Sequence, residues 1–146
     1  MRKAKLHHIG IAARDARKAL EFYESGLGVT EIHWEEVPSQ KVRLAGIRFG
    51  GTTLEILEPT SPDSPIARFL EKKAEGLHHL CFEVGDLEAT LERLCALGYD
   101  LIDRVPREGA GNTRIAFVHP KSTGNRRIFW RIQRLTPEMR GISGHL

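Results

Sequence analysis

Long apolar runs are missing from this sequence of 146 residues. No window approaches the ~18 consecutive apolar residues of a membrane-spanning helix, and no apolar segment follows the basic start MRKAKLHHIG as it would in a signal peptide. We therefore expect a protein that neither spans a membrane nor is exported, and we assign it to the cytoplasm.

Charge of a single sign is also scarce. The 22 Lys and Arg are balanced by 19 Asp and Glu, and the formal net charge is only +3. Proteins that bind duplex nucleic acids usually carry a basic stripe or patch, so this balance argues against nucleic acid as a partner. The length suits one domain with a core of its own.

Cysteine is rare, and Cys81 and Cys95 are the only two in the sequence. Both lie in stretches that are typical of a buried strand and a buried helix face. We expect them to be reduced and to pack in the core as small apolar residues, without a disulfide framework.

An internal repeat organises the chain. The stretch HHIGIAARDARKALEFYESGLG starts at His7, and HHLCFEVGDLEATLERLCALG starts at His78, an offset of 71 residues. In each copy an apolar stretch of strand length leads to an Asp suited to helix capping and then to apolar residues at helical spacing. The identical pairs at this offset are His7 and His78, His8 and His79, Asp15 and Asp86, Leu20 and Leu91, and Glu21 and Glu92.

Each half reads as a βαβββ unit, which predicts an α+β fold. A sheet of so few strands leaves an open edge, so we expect the two repeats to pair into a curved mixed sheet around a central metal-binding cavity. We expect a single domain with repeat one at about 5–59, a linker with a short helix at 60–75, repeat two at about 76–134 and a C-terminal tail at 135–146. The predicted strands after the helices are Val29–Val37, Lys41–Phe49 and Thr52–Leu57 in the first half, and Tyr99–Val105, Arg114–His119 and Ile128–Ile132 in the second.

The paired histidines are candidates for a functional site. Neighbouring side chains on a strand point to opposite faces, so only one histidine of each pair can face the cavity. His8 shares its face with Gly10 and Ala12, whose small size leaves room for a ligand, and we choose His8 and His79 as the inward pair. A single histidine of this kind more often packs in a core, but the repetition at equivalent places favours a shared site.

Two imidazoles suit zinc, cobalt, nickel or manganese, and a stable site also needs oxygen ligands. Glu55 is the best candidate because it lies in the apolar stretch TTLEILEP, where burying a carboxylate is costly unless an ion or a partner compensates it. The alternative is that Glu55 faces solvent on an edge strand. Glu83 would share the face of His79 and is a weaker candidate.

Six stretches carry a family resemblance: HHIGIA from His7, FYESGLG, VPSQKV around Gln40, TLEILEP around Glu55, SPIARFLEKKAEGLHHLCFEVGDL from Ser64, and PREGAGNTRIAFVHPKS from Pro106, followed by Gln133. Together they resemble the vicinal oxygen chelate superfamily (glyoxalase/bleomycin resistance/dioxygenase) and, within it, the methylmalonyl-CoA epimerase family. The resemblance runs in order along nearly the whole chain. Its most specific parts are SPIARFLEKKAEGLHH and the HPKS turn.

The resemblance implies a homodimeric enzyme that binds a divalent ion (Co2+, Mn2+, Zn2+ or Ni2+) and acts on a small-molecule substrate, an acyl-CoA. The family's metal ligands fall on His8, Glu55 and His79. Its final glutamate, which is thought to serve as both a ligand and a proton-transfer group, has no counterpart here. Phe129 or, with a one-residue shift, Trp130 takes its place.

The remaining functional assignments also follow from the resemblance. A second glutamate of some members falls on Leu44, which leaves Glu83 as a weak candidate for catalysis. We assign Lys121 and Arg107 to the phosphates of a coenzyme A tail, because basic side chains at a cleft rim attract phosphates. The implied reaction is metal-dependent proton transfer at C2 of methylmalonyl-CoA, impaired by the missing glutamate. Glyoxalase-type isomerisation and non-catalytic binding of a small molecule stay open as alternatives.

Overall fold

The computed structural model describes residues 3–109, 113–123 and 129–135, without the side chains of residues 129, 134 and 135. It confirms the predicted α+β class, with an eight-stranded mixed sheet and few helices. The helices are α1 (Ala16–Glu21, continued by a π-helical turn at Phe22–Gly26), α2 (Pro65–Lys73) and α3 (Leu87–Ala96). The strands are β1 (Lys5–Ala12), β2 (His33–Val37), β3 (Val42–Phe49), β4 (Thr52–Pro59), β5 (Gly76–Glu83), β6 (Arg107–Glu108), β7 (Thr113–Val118) and β8 (Phe129–Leu135).

Two compact units divide the described chain, one of residues 9–78 and one of residues 3–8 with 79–135. One division therefore falls directly after His8 and the other between His78 and His79, whereas the predicted repeats meet in the linker. In the unit of residues 9–78, β2 pairs with β3 and β3 with β4, both antiparallel. In the other unit, β5 pairs with β8 in parallel, and β8–β7 and β7–β6 are antiparallel. The predicted tail lies outside the described residues from position 136 onward.

One predicted strand is wrong. Tyr99–Val105 forms only an isolated bridge, between Leu101 and Val118, and the strand that pairs with β7 is the short β6. The reason is local: the side chain of Asp103 accepts the backbone N–H of Phe117 at 2.8 Å, in the place where a neighbouring strand would offer a carbonyl. A side-chain acceptor of this kind competes with the regular ladder.

The helices α1 and α3, which occupy equivalent places in the two repeats, begin with the same cap. Asp15 and Asp86 have extended backbones, with φ/ψ of −138°/99° and −137°/102°. Their carboxylates accept the backbone N–H of Lys18 at 3.1 Å and of Ala89 at 3.0 Å. Each therefore satisfies one N–H that the first turn of a helix leaves free.

Each unit has a core of its own, and the two cores repeat each other at the sequence offset of 71. In both, a helix places its buried face on the strands that follow it, and this burial supplies most of the stabilisation that folding needs. The first core contains Ala13, Ala16, Leu20, Ala45, Ile47 and Ile56, and the second contains Leu87, Leu91, Ala116, Val118 and Ile132.

The expectation for the cysteines is half correct. Cys81 is fully buried on β5, but Cys95 is exposed because it lies on the outward side of α3. Among the described residues, the helices are all too short or too polar to cross a membrane.

Candidate functional site

The two histidine pairs lie on strands that bury alternate residues. On β1, His8, Gly10 and Ala12 are buried while His7 is only half-buried. On β5, His79 is 8% exposed. His78, its neighbour, packs instead edge-to-face on Phe69 with ring centroids 4.7 Å apart. His8 and His79 are therefore the inward members of their pairs.

The buried histidines contact each other. The Nε2 atoms of His8 and His79 lie 3.0 Å apart, and the two rings are nearly perpendicular at 89°. On the other side of the His8 ring, its Nδ1 lies 2.8 Å from Nδ1 of His7. Three imidazoles thus follow one another within the unit that contains residues 3–8 and 79–135.

Burial keeps His8 neutral. Desolvation lowers the pKa of His8 far below its ordinary value, and the positive charges of His79, Arg131 and His7 lower the pKa further. Burial also lowers the pKa of His78 to about 4, with a smaller effect of Lys73. A neutral imidazole has the free lone pair that a metal ligand requires.

The histidine geometry fits a shared divalent ion. Two nitrogens that each lie roughly 2.1 Å from one ion, at angles of about 90° to 110°, are about 3.0 to 3.4 Å apart. The 3.0 Å between the two Nε2 atoms falls within this interval. Nitrogen or sulfur atoms of His7, His8 and Cys81 also lie within 4.8 Å of one another, a second possible ligand group that the sequence did not suggest.

Glu55 lies on β4 in the unit of residues 9–78. It is fully buried and pairs in register with Gly46 of β3, so it does not face solvent. A buried carboxylate requires compensation by a cation or by hydrogen-bond donors. Its role as a metal ligand stays a prediction.

Arg131 and Gln133 are buried polar residues that sequence reasoning missed. In the parallel pairing of β5 with β8, Cys81 is the partner of Arg131 and Glu83 the partner of Gln133, so both lie on the face of His79. Arg131 is 9% exposed and Gln133 is fully buried. Nη2 of Arg131 donates to Oε1 of Gln133 at 3.1 Å.

The register separates the two positions predicted for the missing glutamate, Phe129 and Trp130, which stay a prediction. Trp130 belongs to the opposite face, where it stacks on Phe82 at 5.6 Å beside the helix core. Phe129 is the backbone partner of His79, but its side chain is outside the described residues.

Within the described strands, the repeat relates Arg131 to Glu55. Gly46 pairs with Glu55, and its equivalent at the offset of 71, Phe117, pairs with Arg131. Arg131 therefore stands where the second half would place a counterpart of Glu55. This relation is not visible at the offset of 71, because Phe117 and Arg131 are 14 residues apart in the sequence whereas Gly46 and Glu55 are 9 apart.

The other predicted residues are Glu83, Lys121 and Arg107, and each has a different position or partner. Glu83 ends β5 and is half-buried. Lys121 pairs with Asp100 at 3.1 Å, and Arg107 pairs with Asp103 at 3.4 Å, all with exposed or partly exposed side chains. Their assignment to coenzyme A phosphates stays a prediction.

Several other proteins are similar to this chain in sequence, in fold or in both. The chain is 44% identical over 119 residues to the uncharacterized protein YqjC of Bacillus subtilis, covering 82% of this chain and 85% of that one. It is 36% identical over 119 residues to an ethylmalonyl-CoA/methylmalonyl-CoA epimerase of Cereibacter sphaeroides, covering 80% and 89%. A solved structure of Streptomyces coelicolor methylmalonyl-CoA epimerase (a variant in complex with 2-nitronate-propionyl-CoA) superimposes with a TM-score of 0.76, at 31% identity over 91% of this chain and 95% of that one.

Residues 7–117 match the Glyoxalase/Bleomycin resistance protein/Dioxygenase superfamily. This range includes both histidine pairs and the first repeat from His7 onward. With the α+β sheet, the matched range shows that the chain belongs to that superfamily and is a relative of the methylmalonyl-CoA epimerases.

Proposed function

We propose that this protein is a divalent-metal-dependent enzyme of the epimerase type, which moves the C2 proton of a methylmalonyl-CoA-like thioester. The observation that carries the proposal is the buried pair of imidazoles, His8 and His79, with Nε2 atoms 3.0 Å apart. Named methylmalonyl-CoA epimerases among the relatives support the substrate class.

The proposed ion is held by His8, His79 and Glu55. The two histidines contribute nitrogen ligands, and Glu55 contributes the negative charge that a divalent cation requires. When bound, such an ion polarises a thioester carbonyl and stabilises the negative charge left by the departing C2 proton. Burial of all three side chains excludes water and strengthens these interactions.

Proton handling limits the proposed activity. Leu44 is fully buried and apolar, and the guanidinium of Arg131 offers hydrogen-bond donors but no acceptor, so neither accepts a proton from C2. Glu83, on the same strand face as His79, is the remaining carboxylate that we assign as a base. With a base on one face only, the enzyme exchanges the C2 proton with solvent faster than it inverts the centre.

The test combines metal content with isotope exchange. Full-length protein is loaded with Co2+, Mn2+ or Zn2+, and deuterium uptake at C2 of methylmalonyl-CoA in D2O is followed beside chiral analysis of the product. We expect uptake with slow inversion. His8→Ala and His79→Ala should lose stoichiometric ion and exchange, and Glu83→Gln should keep the ion but exchange at least about 100-fold more slowly.

Matched controls separate this ligand set from other histidines and from the thiol. His33→Ala removes an exposed histidine and should change neither ion content nor exchange. Cys81→Ala should also keep the ion. A full ion in either buried-histidine variant, or loss of the ion in Cys81→Ala alone, would contradict the assignment. Absence of any exchange by metal-loaded protein would favour the non-catalytic alternative.

The resemblance adds two finer parts to the proposal. Lys121 and Arg107 hold the coenzyme A phosphates, and two copies of the chain assemble as a homodimer. Both basic side chains are at least half exposed, as contact with a diffusing phosphate requires.

A further inference from the structure

A buried positive charge lies on the same sheet face as His79. Arg131 is 9% exposed, and its strand partner is Cys81, two residues after His79 on β5. A divalent ion beside this arginine would be repelled unless negative charge lay between them.

Within residues 3–109, 113–123 and 129–135, the guanidinium of Arg131 forms no ion pair with a carboxylate, and its Nε has no hydrogen-bond acceptor. A buried charge in this condition is costly, and removing it from water is compensated only by an opposite charge or by several hydrogen bonds. An anion that enters from solvent would therefore supply the compensation that the guanidinium of Arg131 lacks among the described residues.

Gln133 offers a second unused donor next to it. Gln133 is fully buried, and its Oε1 accepts from Nη2 of Arg131 at 3.1 Å. Its Nε2 has no acceptor in the part of the chain that the structure describes. Two N–H donors, one charged and one neutral, thus remain free on adjacent side chains of one strand face, which suits the two oxygens of a carboxylate.

The neighbouring turn approaches β7 closely. A Cβ on Gly109 would lie only 2.6 Å from Oγ1 of Thr113 and 2.7 Å from Cγ2 of Ile115, so this position requires glycine. The same Cβ would lie 3.4 Å from Nη2 of Arg131, which places the turn beside the guanidinium.

We infer that Arg131, oriented by Gln133, binds the free carboxylate of the acyl group and thereby selects malonyl-type thioesters over acyl groups without a carboxylate. This rests on the proposed function for the identity of the substrate, but not for the existence of the anion site. The same carboxylate supplies the negative charge that allows an ion and Arg131 to occupy one site.

The test uses malonate as a probe of the anion site, on the full chain as purified and after treatment with a chelator. Isothermal titration should detect malonate binding in both preparations. Arg131→Met, which preserves the length of the side chain, should weaken binding at least about 10-fold, and Arg131→Lys should weaken it less because the charge remains. Neutral malonamide should bind the native protein and Arg131→Met equally.

Arg114→Met is the matched control, since Arg114 lies on the adjacent strand and pairs with Glu88 at the surface. It should leave malonate binding unchanged. Equal malonate binding by native protein and Arg131→Met, or no malonate binding by native protein, would overturn the inference. If Arg131→Met does not fold, Arg131→Gln is compared with Arg131→Lys by the same criterion. Failure of epimerisation with intact, Arg131-dependent malonate binding would reject the proposed function alone.

Discussion

At the scale of single residues, the two units of the chain bury side chains of different charge at equivalent positions. The pairing of strands makes Glu55 and Arg131 equivalent, so a carboxylate in one repeat corresponds to a guanidinium in the other. Likewise Leu57 corresponds to Gln133. Both repeats therefore contain the histidine, but the first contains a buried carboxylate where the second contains a buried guanidinium.

Arg131→Glu should raise affinity for a divalent ion at least about tenfold. The substitution removes a repelling charge and adds a carboxylate at the position equivalent to Glu55. Competition against a chelator of known affinity measures the change. Arg131→Gln, which removes only the charge, should give a smaller gain.

Phe129→Glu tests the position that counting along the sequence assigns to the missing ligand. We expect a smaller gain in affinity for a divalent ion than for Arg131→Glu, measured by the same competition against a chelator. A larger gain at position 129 would show that β8 pairs with β5 in another register.

At the scale of elements, the repeat is clearest where each helix begins. The same residue type, with nearly the same backbone angles, caps α1 and α3. Connections are less well repeated, because side chains such as that of Asp103 take over backbone hydrogen bonds. Helix starts follow from local chemistry, whereas the loops depend on where neighbouring strands end.

Asp86→Ala should lower the free energy of unfolding by about 1 kcal/mol, because the N–H of Ala89 loses its acceptor. Urea denaturation followed by circular dichroism measures this loss. Asp86→Asn, which keeps an acceptor oxygen, should lose much less. Glu92→Ala, on the exposed part of the same helix, should change stability by under about 0.5 kcal/mol. Equal effects of the first and last substitutions would show that the cap is not stabilising.

At the scale of the whole molecule, two cores of matching composition stabilise the chain. Ala45 and Ile47 in one core correspond to Ala116 and Val118 in the other. Leu20 and Leu91, at the same offset, are 0% and 2% exposed. Each repeat thus places its own helix on its own strands.

Leu20→Ala and Leu91→Ala should each lower the free energy of unfolding by roughly 2–5 kcal/mol, because both leave a cavity in a core. Leu97→Ala is the control, since Leu97 is 67% exposed and should matter little. Thermal denaturation of the three variants measures the loss of stability in each. An effect in one core alone would mean that the two units differ in their dependence on this leucine.

The sequence by itself determined the class of fold, the two repeats, the helix caps and the buried member of each histidine pair. These features depend on alternation, spacing and capping, which act over a few residues and are visible in one dimension. The same local rules wrongly predicted a strand at Tyr99–Val105, where the side-chain hydrogen bond of Asp103 decides the outcome. They also wrongly predicted that Cys95 is buried, because the orientation of the helix exposes it.

Only the tertiary structure revealed Arg131 and Gln133 as a buried pair facing His79. Their position depends on the register between β7 and β8, which a longer connection shifts relative to the first repeat. A one-residue slip in a strand moves every side chain to the other face. Sequence counting therefore cannot say which side chains of β8 share a face with the histidines, since the hydrogen-bonded pairing with neighbouring strands fixes that choice.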